Sequence, residues 1–217
     1  MSSSTTFSIS AGPGTDIWRK PPHTDVFNAP AAAAPSVTAT SGPLLSFVSA
    51  RASFSFAWSE QYDQGGLLLS FRPRAGLEGA DTKASSSSPT KWVKTGIEFY
   101  NRRPMLSTVA CDRWADWSVG PLTTSPGSAG AKTWTTISVE REINENATNE
   151  NGSSWWVYQI LEGGEKVSLR EICWVYGDGN DAENWELEVL AMAARPEKNV
   201  NTSLEVEVRD MEVKWAA

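Results

Sequence analysis

"WVKTGIEFYN", residues 92–101, reads as two interleaved sets of side chains. Val93, Thr95, Ile97 and Phe99 occupy alternate positions, with Trp92, Lys94, Gly96, Glu98 and Tyr100 between them. In an extended chain successive side chains point to opposite faces, so the stretch predicts a strand with one apolar face and one mixed face. A plain solvent face has no use for Trp and Tyr, and a core does not hold Lys and Glu. The mixed face therefore suits the floor of a ligand groove.

The same period recurs outward from this strand. Segments rich in Val, Ile, Phe, Tyr and Trp are predicted as strands at 44–49, 52–59, 65–72, 91–100, 104–111, 133–143, 154–161, 167–176, 185–194 and 203–215. Between them lie breaks such as 29–36, 84–90, 123–131, 144–154, 162–166 and 177–184, rich in Gly, Pro, Ser and Asn. Almost no window carries the apolar stripe of a helix. The reading is all-β, two packed antiparallel sheets in one domain over 1–217, with 1–15 as a flexible N-terminal segment. "LEVEVRDMEVKW" (204–215) alternates Leu204, Val206 and Val208 with Glu205, Glu207 and Arg209, an outer strand with one wet face.

Composition excludes several classes. Nineteen Lys and Arg against 26 Asp and Glu give a net charge of -7, and no basic run could track phosphates, so no nucleic acid partner is expected. The longest apolar stretches, 66–71 and 189–194, are far short of the roughly 20 residues of a spanning helix, so no membrane partner is expected either. No basic and apolar leader opens the sequence, which favours the cytoplasm. Cys111 and Cys173 are expected as buried free thiols, and the sequons at Asn146, Asn151 and Asn201 as polar loop tips. His23 is the one histidine, so neither a His-based triad nor a multi-histidine metal site is expected, and no metal or cofactor is assigned. G-x-S-x-G, P-loop and dinucleotide-binding patterns are absent.

A site must then use carboxylates, amines, amides and rings. "QYDQGG" (61–66) places Tyr62, Asp63 and Gln64 before a double glycine, a set able to hydrogen-bond a polyhydroxylated ligand. Among eleven tryptophans, Trp92 and Trp117 are the two assigned to a ligand. In "CDRWADWSVG" (111–120), Trp114 is expected inward, and Asp116 with Trp117 at the groove rim. Arg141 and Arg170, inside apolar strands, each call for a carboxylate across the sheet. Lys94 and Glu98 lie roughly 13 Å apart along an extended strand and need partners elsewhere.

"YDQGGLLL", "WVKTGIEFYN", "STVACDRWADWS", "LREICWVYG" and "ARPE" followed by "LEVEVRDMEVKW" together resemble the fungal "regulation of enolase" family, from about Trp18 to Trp215. The resemblance implies a concanavalin A-like jelly roll whose concave face is shared with lectins and glycanases. It carries no catalytic set. The E-x-D-x-x-E strand of the retaining glycanases in that superfamily is missing; "EREINE" has Glu142 where the aspartate belongs.

The leading expectation is a non-catalytic, regulatory protein that binds a sugar or small metabolite through Tyr62, Asp63, Gln64, Trp92, Lys94, Glu98, Tyr100, Asp116 and Trp117. The alternatives are a lyase, isomerase or hydrolase, with Glu98 or Asp63 as general base beside Lys94, and a module that binds a protein partner without a small ligand.

Overall fold

A computed structural model describes residues 6–74, 88–123, 133–143, 151–177 and 182–216. The breaks at 84–90, 123–131, 144–154 and 177–184 and the sequon at Asn146 lie wholly or partly outside these residues. The strands are β1 (Phe7–Ala11), β2 (Ile17–Lys20), β3 (Thr24–Phe27), β4 (Ala31–Ala32), β5 (Ser41–Pro43), β6 (Phe47–Phe56), β7 (Gln64–Pro73), β8 (Lys91–Tyr100), β9 (Arg103–Cys111), β10 (Ala115–Pro121), β11 (Thr135–Ile143), β12 (Asn151–Ile160), β13 (Lys166–Ile172), β14 (Trp185–Ala194) and β15 (Leu204–Trp215).

One sheet runs β1-β15-β6-β11-β12-β13. The other runs β10-β9-β8-β7-β14-β4, with β5 also on β14. All these pairings are antiparallel, and the two sheets form a jelly-roll sandwich. Alternate residues of both meet in one core: Phe54, Ala52 and Val206 from the first sheet, and Leu67, Leu69, Phe71, Val93 and Ile97 from the second. At one end Trp155 packs on Phe47 and Phe71, with ring centroids 4.9 and 5.4 Å away, and its indole N–H donates to Tyr176 Oη at 2.9 Å. This satisfies the one polar atom of a ring that is otherwise worth burying.

β7 is buried on both sides, which is why it reads as a continuous apolar run. Leu67, Leu69 and Phe71 face the sandwich core, while Leu68 faces outward and is nevertheless covered. The cover is the β2–β3 hairpin, a separate two-stranded sheet turned at Pro21–Pro22, with a cis peptide between them, and His23. Its Ile17 is fully buried, and it shares an apolar cluster with Leu68, Trp92, Val109, Cys111 and Met192 on the outer face of the seven-stranded sheet.

Several expectations change. Residues 44–49 and 52–59 are one strand, β6, preceded by a single helical turn at Leu44–Ser46. The supposedly flexible 1–15 supplies β1, registered on β15 from Phe7↔Val208 to Ala11↔Leu204. Residues after Cys111 turn over Asp112–Trp114 and return as β10, a strand absent from the sequence expectation. That three-residue turn leaves Trp114 exposed at its tip, not inward. Cys111 is buried as expected, but β13 ends at Ile172 and Cys173 is exposed in the turn beyond it.

Arg170 finds its carboxylate, Asp116, in the other sheet rather than its own, and donates further to Asp116 O at 3.2 Å and Ser118 Oγ at 3.1 Å. Arg141 donates to Leu45 O at 2.6 Å and lies over the Tyr176 ring.

Candidate functional site

The register of β8 carries out the division read from its sequence. Val93 and Ile97 enter the core; Lys94 and Glu98 stand on the outer face, beside Gln64 of β7. Between them Gly66 of β7 is paired with Gly96 of β8. A Cβ on Gly66 would lie 2.2 Å from Thr95 O, and one on Gly96 2.2 Å from Gly65 O, so the two backbones approach too closely for any side chain. The Gly66–Gly96 pair therefore serves strand against strand, and it also leaves the floor bare of side chains between the polar groups.

Around this floor lies a cleft of about 530 Å³. Lys94, Glu98 and Val109 form its base, and Asp16, Trp18 and Lys20 of the hairpin segment one wall. Gln61 and Tyr62 form another, Gln64 joins the base beside Glu98, and Trp117, Pro196 and Glu197 complete the rim.

Lys94 Nζ donates to Gln64 Oε1 at 2.8 Å and to Asp16 Oδ1 at 3.3 Å. Trp117 Nε1 donates to Glu98 Oε2 at 3.0 Å and to Ser107 Oγ at 3.1 Å. Burial pushes the Glu98 carboxyl above its ordinary range. The Ser107 hydroxyl, the Lys94 charge and the Trp117 indole oppose that shift, and Asp16 adds to it. The floor thus holds an ammonium, an amide and a carboxyl group that accepts an indole N–H.

Tyr62 adopts a left-handed backbone, φ 68°, which costs a non-glycine residue energy and points to an over-determined turn. Its N–H donates to Phe99 O at 2.7 Å. Its half-exposed ring stacks on Tyr100 with centroids 5.9 Å apart, and Trp117 meets both rings edge-on. The three rings make an aromatic corner over Glu98.

Of the sequence-assigned residues, the structure brings Tyr62, Gln64, Lys94, Glu98 and Trp117 together at the cleft, with Tyr100 stacked behind Tyr62. Three are placed elsewhere. Asp63 is fully buried and bound in two-pronged fashion by Arg195, Nε to Oδ1 at 2.8 Å and Nη2 to Oδ2 at 2.7 Å. It also accepts the N–H groups of Ser59 and Glu60, so it locks the 59–63 turn and is not free to act as a base. Trp92 is on the outer face but sealed under the hairpin against Phe27. Asp116 alternates with Trp117 along β10 and so points away from the cleft, to Arg170.

Asp16, Trp18, Lys20, Gln61 and Glu197 were not singled out from sequence. "DIWRK" and "TDVF" flank a Pro-Pro turn, the signal that could have marked the hairpin. Among the described residues no group of three His, Cys, Asp or Glu side chains is arranged to hold a metal ion.

A solved structure of a functionally unknown protein from Saccharomyces cerevisiae is similar over 100% of this chain and 93% of its own, with 17% identity and a TM-score of 0.61. A bifunctional GH43-CE protein of Bacteroides eggerthii matches 97% of this chain but 21% of its own, with 11% identity and a TM-score of 0.50. At these identities the likeness is one of fold. In sequence, an uncharacterised protein of Emericella nidulans is 40% identical over 214 residues, 96% of this chain and 89% of that one. Residues 1–215 match the family described as "Protein of unknown function (DUF1349)", and the chain belongs to that family.

Proposed function

We propose that this protein binds a carbohydrate or a small polyhydroxylated metabolite in the cleft on the outer face of the seven-stranded sheet, without transforming it. The observation that carries this reading is the convergence of Gln64, Lys94 and Glu98 on a floor edged by the Tyr62 and Trp117 rings, which Tyr100 backs. Hydroxyl groups need paired donors and acceptors at fixed spacing, and the ring faces of sugars pack on aromatic side chains. The "regulation of enolase" resemblance supports a regulatory use of the bound state, sensed by a protein partner.

Ligand-observed NMR with common mono- and disaccharides and a glycan array test the binding. We expect at least one sugar to bind and Trp117→Ala to weaken it about tenfold, the worth of one lost aromatic contact with its hydrogen bond. Silence from every sugar, or equal binding by the variant, rejects the reading.

One observation supports a second reading, an enzyme. Glu98 is a buried carboxyl with a raised proton affinity beside the Lys94 ammonium, an arrangement suited to proton transfer. Asp63, held by Arg195, is not available for that role. If the enzyme reading holds, Glu98→Gln abolishes turnover of a bound sugar and leaves its affinity within a few fold.

A further inference from the structure

The outer face of a jelly-roll sheet offers room for a long groove, yet here a bar of chain lies across it. We infer that the cleft is a blind pocket for the neutral end of a short glycan, one or two rings, and does not accommodate the interior of a polysaccharide. This inference rests on the carbohydrate reading and narrows it.

The bar is the β2–β3 hairpin. Its Ile17 and Phe27 join Leu68, Trp92, Val109 and Met192 in one apolar cluster, and those four belong to β7, β8, β9 and β14, adjacent strands of the sheet. A polymer lying across the strands would have to displace it.

The hairpin is also pinned from several directions. Arg19 donates to Thr90 O at 2.8 Å and Pro89 O at 3.0 Å and pairs with Asp25 at 3.1 Å. Asp16 accepts from Lys94 on the floor, and its own N–H donates to Asn28 Oδ1 at 2.8 Å. The fully buried Ile17, together with polar contacts to the Pro89–Thr90 loop and to Lys94 of β8, makes it a wall and not a flap.

The facing wall is as firmly set. The Asp63–Arg195 pair fixes the turn that presents Tyr62, and Arg195 also donates to Thr202 O at 2.8 Å and Ser59 Oγ at 3.1 Å. At the Glu197 end, Gly14 N–H reaches Arg195 O at 2.8 Å and Glu197 O at 3.2 Å, tying the approach to the hairpin to that rim. The volume of the cleft, about 530 Å³, is that of a small-molecule site, for which about 300–1,000 Å³ is typical.

Charge selects among the ends that fit. Asp16, Glu98 and Glu197 outnumber Lys20 and Lys94 around the cleft, and the Lys94 ammonium is already engaged by Gln64 and Asp16. A uronate would bring its carboxylate toward Glu98 with no uncommitted floor cation to meet it.

Titration calorimetry of the intact protein with malto-, xylo- and manno-oligosaccharides of one to six rings, and with galacturonate alongside galactose, tests both parts. In the series that binds, we expect the Kd to fall about tenfold from one ring to two and to change less than about twofold from two to six. Galacturonate should bind at least about tenfold more weakly than galactose, the size of one unmatched charge contact. A Kd that keeps falling through four and six rings overturns the blind pocket while leaving carbohydrate binding intact. Galacturonate binding as well as galactose overturns the neutral preference. No binding in any series overturns this inference and the reading beneath it together.

Discussion

Trp92 and Glu98 lie on the same strand, point to the same side of the same sheet and meet opposite surroundings. Trp92 is roofed by Phe27 in an apolar cluster with Leu68, Cys111 and Met192. Glu98 stands in a cleft, its carboxylate receiving an indole N–H. Nothing within β8 separates the two; the difference comes from a hairpin far earlier in the chain that covers one half of the face and stops. Alternation assigns a side chain to a face, and distant packing decides whether that face is core or site.

Removing the covered half's main ring breaks the comparison hardest. Trp92→Ala is expected to cost about 3–5 kcal/mol in urea unfolding, the usual loss for emptying a buried indole site. It should also open Cys111 to thiol reagents. In the parent only Cys173 should react at neutral pH, because Cys111 is buried and desolvation pushes its thiol to about 11. Trp92→Phe should cost much less, since the Trp92 indole N–H has no acceptor among the described residues and its removal relieves a buried orphan donor. A cost for Trp92→Ala below about 1 kcal/mol, with Cys111 still protected, shows that the cluster does not hold the hairpin down.

The bare floor is the next point of attack. Gly96→Ala forces a Cβ against the carbonyl of Gly65, and because that obstacle is backbone, the strands must separate. A loss of about 1–3 kcal/mol is expected, as for overpacking. Sugar affinity should fall with it as Lys94 and Glu98 shift; unchanged stability means the pair tolerates a wider spacing.

The smallest effect sharpens the contrast from the open half. The raised proton affinity of Glu98 means that the folded state is penalised as pH climbs from the ordinary glutamate range through the raised value, and the penalty persists above it. Glu98→Gln should therefore raise Tm at neutral pH, with the gain shrinking to nothing below the ordinary glutamate value of 4.5. A gain independent of pH, or a loss at neutral pH, removes the desolvated carboxylate from the account.

The sandwich itself was legible because its strands repeat one local rule, and β7, β8, β9 and β15 lie close to where alternation puts them. Lys94 and Glu98 were legible for the same reason, whereas Gln64 was read from the polar run before the double glycine and Trp117 from its place among the tryptophans. Asp63 was misread because a carboxylate beside a double glycine looks the same whether it faces ligand or arginine, and Arg195 lies 132 positions away. Trp114 and Asp116 were misplaced because a three-residue turn after Cys111 sets the register of β10. Asp16, Trp18 and Lys20 escaped notice because two four-residue strands around Pro-Pro carry too little periodicity to register.

The Arg170 fork has a consequence outside the cleft. β13 and β10 are outermost strands of their respective sheets, and such strands carry unpaired backbone groups that invite another chain to add on. Arg170 crosses from one to the other, taking up the Asp116 carbonyl oxygen as well as its carboxylate. One ion pair thus laces the two open margins together on that side, and a protein with this much exposed strand gains protection there against stacking into aggregates.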